Sequence, residues 1–106
     1  MRNIIKEAPE VAKAFFLLTE EITKYSNIDL KVKELVLIGI FTASGGIRGV
    51  GTHIERAIKN GATKEEVYGA ILLALPVVGI SNVNIAVEKA EEILEGTFKQ
   101  NEACRP

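Results

Sequence analysis

Four glycines fall within eight residues of this chain, Ser44-Gly45-Gly46-Ile47-Arg48-Gly49-Val50-Gly51, and an apolar helical stretch lies on each side of them. No other segment restricts the fold as much. Glycine permits positive φ and close backbone approach, so a turn this rich in it lets two helices fold back on each other. The helix before the turn is expected from about Leu30 to Ala43, with Asp29 as N-cap. The helix after it is expected from about Arg48 or Val50 to Asn60, with Gly61 at the C′ position. The first of these is apolar nearly all round, which predicts a buried helix. Glu34 is its polar exception and shares a face with Ile38 and Phe41.

Before this hairpin, Pro9 suits the first turn of a helix, and Val11, Phe15, Leu18 and Ile22 recur at helical spacing up to Ser26-Asn27. This predicts a single packing helix. After the hairpin, Thr63-Lys64-Glu65-Glu66 reads as a capping box that opens a helix to about Leu75. Pro76 and Gly79 then interrupt the apolar run. Ser81 is expected to cap a last helix from about Asn82 to Glu95, with Val83, Ala86, Val87, Ala90 and Leu94 inward and Gly96 as its stop. Residues 97–106 read as a flexible polar tail. No strand alternation occurs, so the chain is expected to be all-α, a bundle of about five to six helices forming one domain over residues 1–106.

Composition removes several classes of function. Hydrophobic residues make up 47% of the chain but aromatic residues only 6%, so the core is aliphatic. That much aliphatic surface on 106 residues predicts burial against copies of the same chain. The formal net charge of -1 offers no basic face for nucleic acid. No apolar run approaches the roughly 20 residues that span a bilayer, and no signal peptide is visible. Cys104 is the only cysteine, so no internal disulfide forms, and a cytoplasmic protein is expected. One histidine and no cysteine cluster predict neither a metal site nor another cofactor.

Two constellations carry possible chemistry. Glu34 lies about nine residues before the end of its helix, and His53 about four into the next. At roughly 1.5 Å per residue an antiparallel hairpin offsets them by about one turn. Contact, direct or through one water, is therefore expected, in a pocket bordered by the glycine turn. A carboxylate beside an imidazole can abstract or relay a proton. The same spacing also suits a buried pair that satisfies itself. The second constellation is the turn, where backbone N–H groups of Gly46 and Gly49, next to Arg48, precede a helix start and suit an anion such as a substrate carboxylate. The alternative is a tight connection needing glycine only for its backbone freedom.

Several motifs, taken together, resemble one family. They are Asp29-x-Lys31-x-x-Glu34-Leu35, then His53-x-x-x-Ala57-x-x-x-Gly61-Ala62-Thr63-x-x-Glu66, then Val78-Gly79-Ile80 and Ala86. Over about residues 28–95 the chain resembles the carboxymuconolactone decarboxylase family, which includes alkylhydroperoxidase D-like proteins. The resemblance implies an all-helical subunit assembling into trimers or hexamers, with sites near subunit interfaces. The peroxidase branch carries Glu-x11-Cys-x2-Cys-x3-His. Glu34 and His53 occupy the outer positions of that motif, but Gly46 and Gly49 stand at the two cysteine positions. Without thiols there is no thiolate to attack a peroxide, so thiol peroxidase activity is not expected. The decarboxylase branch needs no such pair. The Gly79 segment resembles its Gly-Val-Pro turn, with Ser81 in place of the proline. The reading that follows is proton-transfer chemistry on a small carboxylated lactone or related acid, with His53 as acid/base, Glu34 orienting it, and Gly46, Gly49 and Arg48 holding the substrate anion. The other readings are an alkylhydroperoxidase-type member that has lost its cysteines, or a non-catalytic oligomeric binding protein that keeps the fold without chemistry.

Overall fold

The computed structural model describes residues 2–103, with side chains through residue 96. Its elements are α1 (Arg2–Glu7), α2 (Pro9–Ser26), α3 (Leu30–Ser44), α4 (Ile47–Lys59), α5 (Lys64–Leu72), α6 (Leu75–Val78) and α7 (Ile80–Ala103). The described chain is all-α, with no strand.

Local chemistry explains most helix ends. At the end of α3, Gly45 takes φ 79°, its N–H donates to Thr42 O, and the Gly46 N–H donates to Phe41 O. This is a Schellman closure, which needs a residue free to adopt the left-handed region. Gly61, at φ 87°, closes α4 in the same way, with Ala62 N–H donating to Ala57 O. Thr63 opens α5 with both halves of the capping box present: Glu66 N–H donates to Thr63 Oγ1, and Thr63 N–H donates to Glu66 Oε1. Helix α5 ends at Leu72 rather than Leu75. Its last full-length bond is Leu73 N–H to Gly69 O; the Ala74 N–H turns to Ile71 O, a tighter final turn, and Pro76 has no N–H to bond the Leu72 carbonyl and resume the ladder.

Three further expected ends differ. Asp29 stands at the N-cap of α3, but its side chain makes no capping bond. Helix α7 begins at Ile80, directly after Gly79 at φ 82°, which places Ser81 inside the first turn. It also continues through Gly96 to Ala103, because a glycine inside a helix costs only about 1 kcal/mol relative to alanine and does not break it. Cys104 lies outside the described residues.

The core sits among α3, α4, α5 and α7. Ile38, Ile54, Val67 and Ile71 are fully buried there, together with Val50, Val83, Ala86, Ala90 and Leu94. Helices α3 and α4 pack most closely, as the glycine turn requires. Lys31 Nζ bonds Glu66 Oε2 at 3.1 Å and links α3 to α5. Asn82 Nδ2 donates to Ala43 O at 3.2 Å, so the start of α7 covers a free carbonyl at the end of α3.

The sequence reading is corrected at two faces. Two helices, not one, precede the hairpin, and α2 does not bury its stripe within the described chain. Val11, Phe15, Leu18 and Ile22 are all exposed, and among the described residues α2 packs substantially only on α1. Helix α3 is likewise buried on one side only: Glu34, Ile38 and Thr42 face inward, whereas Val32, Val36 and Ile40 are exposed.

Candidate functional site

Glu34 sits in the second turn of α3 on the strip that meets α4, and only 4% of it is exposed. His53 lies in the second turn of α4 with its side chain 12% exposed. The hairpin brings the two together: His53 Nδ1 and Glu34 Oε2 are 2.5 Å apart. A carboxylate only accepts, so Nδ1 carries the hydrogen and donates it to Glu34. This tautomer leaves Nε2 with a lone pair, or with a second proton when the ring is charged. Among the described residues Nε2 has no hydrogen-bond partner, and no buried side-chain nitrogen or oxygen is left unsatisfied.

Two neighbours complete the pair. Lys33 Nζ lies 3.6 Å from Glu34 Oε1, so the second carboxylate oxygen also faces a cation. On the other side, the Phe41 ring stacks on the imidazole, with centroids 5.1 Å apart and planes 16° from parallel. Glu34, Ile38 and Phe41 share one face of α3, which places carboxylate and ring against α4 together.

The glycine turn makes room for that ring. A Cβ on Gly49 would overlap Phe41, and one on Gly46 would lie 3.0 Å from Phe41 Cδ1. The space beside His53 that side chains at positions 46 and 49 would need is thus filled by an aromatic ring.

The anion reading of the turn narrows. The N–H groups of Gly45, Gly46 and Ile47 donate to Thr42 O, Phe41 O and Gly45 O, so Gly46 has no free donor. Among the described residues, the first-turn N–H groups of Arg48 and Gly49 have no backbone acceptor. The Arg48 side chain is exposed and leaves α4 roughly 140° round from His53, since five residues advance a helix by about 500°. It makes no ion pair with Glu34 or any other described residue. Lys33 and Phe41 are the site residues that the motifs alone did not single out. The signal for Phe41 was available: a ring seven residues beyond Glu34, facing two positions without Cβ.

A concavity of about 710 Å³ does not contain the pair. It lies on the outer face of α3, between α3 and α5, and is lined by residues such as Val36, Ile40, Gly69 and Leu73. A small cleft of about 20 Å³ adjoins Phe41 and Gly45. Among the described residues, no three His, Cys, Asp or Glu side chains gather as a metal site, and no helix is long and apolar enough to cross a membrane.

The family model described as Carboxymuconolactone decarboxylase family matches residues 9–92 of this chain. The match begins at the first residue of α2, well before the motifs from Asp29 onward. Comparison with curated proteins and with solved structures finds no match.

Proposed function

Because this chain belongs to the carboxymuconolactone decarboxylase family, we propose that it is a carboxy-lyase-like enzyme moving a proton on a small carboxylated lactone or related acid. One observation carries this reading: the 2.5 Å bond from His53 Nδ1 to Glu34, which leaves Nε2 unbonded beside it. Loss of CO2 leaves an electron pair on the carbon it departs from. A proton held on Nε2 of the imidazolium can quench that carbanion, and Glu34 stabilises the charged ring while fixing its tautomer. The substrate carboxylate is assigned to the first turn of α4, where the N–H groups of Arg48 and Gly49 are available and the helix dipole favours an anion. The Arg48 guanidinium adds long-range attraction rather than a direct bond.

The same reading includes self-assembly as a trimer or hexamer. Its support is the exposed aliphatic surface of α2 and of the outer face of α3, too extensive for a chain that stays alone in water. Light scattering is expected to show such an assembly at micromolar concentration.

The enzymatic half is tested by incubating the protein in D2O with carboxylated lactones and following CO2 release and deuterium incorporation by NMR. Turnover by the wild type and its loss in His53→Gln are expected. Turnover that His53→Gln leaves unchanged would remove His53 from the chemistry, and an inert wild type would leave the non-catalytic oligomer.

A further inference from the structure

Two unpartnered apolar surfaces occur on this one chain, and they match each other. The first is the stripe of α2. Val11, Phe15, Leu18 and Ile22 follow i, i+4, i+7, i+11 spacing and are each between 51% and 62% exposed. The second is the groove of about 710 Å³ between α3 and α5. Its floor is built from small residues, Gly39, Ala43, Gly69 and Ala74, so another helix can approach closely. A Cβ on Gly39 would lie 3.4 Å from Ala70 O, so glycine there lets α3 and α5 approach each other closely beneath the groove. Its walls are the exposed side chains of Val32, Val36, Ile40, Leu73 and Val77.

The dimensions agree. The stripe runs from position 11 to 22 and the groove follows α3 from position 32 to 43, each about 17 Å at 1.5 Å per residue. The three residues between α2 and α3, with Asn27 in the left-handed region at φ 49°, hold α2 away from its own groove, which stands open. We propose that α2 of one copy seats its Val11–Phe15–Leu18–Ile22 stripe in the α3–α5 groove of a second copy, reciprocally.

The area suffices. Four such side chains at half exposure present on the order of 400 Å², taking about 150–250 Å² for a buried Phe as the scale. The groove presents about half as much, and reciprocal exchange doubles the sum to on the order of 1,200 Å², the lower end of the range for specific interfaces. A two-fold exchange also keeps the interface closed, with no free stripe to seed further growth.

This inference rests on the self-assembly proposed above and adds which surfaces meet. It is tested on the full chain in a Cys104→Ser background, with Leu18→Cys in one preparation and, for the two directions in which α2 can run along α3, Ile40→Cys or Val36→Cys in another. Mixed and oxidised, the two are expected to give a disulfide-linked dimer on a non-reducing gel, well above either preparation alone. A chain carrying both cysteines that instead closes on itself as a monomer would place α2 in its own groove and overturn the exchange. In parallel, Phe15→Glu/Leu18→Glu should keep its far-UV circular dichroism, since both residues are solvent-facing in one chain. Its two-copy unit should dissociate at concentrations at least about 100-fold higher than the wild type, at tenfold per 1.4 kcal/mol of lost burial. An assembly unchanged by this variant, or a wild-type oligomer that yields no mixed cross-link, would overturn the exchange while leaving self-assembly standing. A monomeric wild type would overturn both, and a trimer, which reciprocal pairs cannot build, would overturn the exchange alone.

Discussion

At Gly49 a missing Cβ lets the Phe41 ring lie across α4 and stack on the imidazole of His53. Alanine is ordinarily the better helix former by about 1 kcal/mol. Here the added methyl would overlap the ring, and overpacking costs about 1–3 kcal/mol, so Gly49→Ala is expected to destabilise. In a Phe41→Ala background the same change should become neutral or stabilising, and urea unfolding of the four chains measures that coupling. The pair itself gives a second contrast. His53→Gln keeps an N–H donor within reach of Glu34 and should change stability by under about 1.5 kcal/mol while lowering turnover by about 100-fold or more. His53→Leu leaves a buried carboxylate with Lys33 as its one cation, and should cost about 3–5 kcal/mol in the same unfolding assay.

Among the elements, α5 has the fullest cap and packs on α3 and α7. Thr63→Ala removes the acceptor of the Glu66 N–H and should cost about 1 kcal/mol. Glu66 adds a pH dependence. The Thr63 backbone N–H, and then the Lys31 ammonium, hold its carboxyl below the ordinary value of 4.5. A carboxyl depressed on folding contributes stability that is complete above its unfolded value and is lost as pH falls through the lower folded value. Acid unfolding of Glu66→Gln should therefore lack one component that the wild type loses below about pH 4.5. Thermal melts of both chains between neutral and acid pH would show it, and identical acid slopes would refute it.

For the whole molecule, the absence of a thiol beside His53 separates this chain from the peroxidase branch it resembles. Gly46 and Gly49 supply no sulfur, and the Phe41 ring takes up the room a thiol would need. Cys104 is the only cysteine in the chain. No dithiol-driven reduction of alkyl hydroperoxides is expected, and rapid turnover that survives Cys104→Ser would contradict this. Restoring the pair as Gly46→Cys/Gly49→Cys would not suffice either, because Phe41 would have to yield first.

The amino-acid sequence by itself determined the helical class, most helix ends and the meeting of Glu34 with His53. Those features depend on interactions within a few residues: a glycine at positive φ, a threonine three residues before a glutamate, a carboxylate and an imidazole on facing stripes of one hairpin. The Glu34–Ile38 stripe was legible as the inward side of α3, and the tertiary structure alone decided that the opposite side stays uncovered. Val32, Val36 and Ile40 are as apolar as the buried side, so periodicity predicts burial all round, but α4 and α7 pack on the Glu34 side and leave these three exposed. It also decided that Gly96 lies within α7 and that Arg48 points away from the pair, although Arg48 is a close sequence neighbour of His53. The exposed stripe of α2 has the same physical origin. A helical repeat specifies that a face must be covered, but what covers it depends on where the rest of the chain, or another chain, comes to lie.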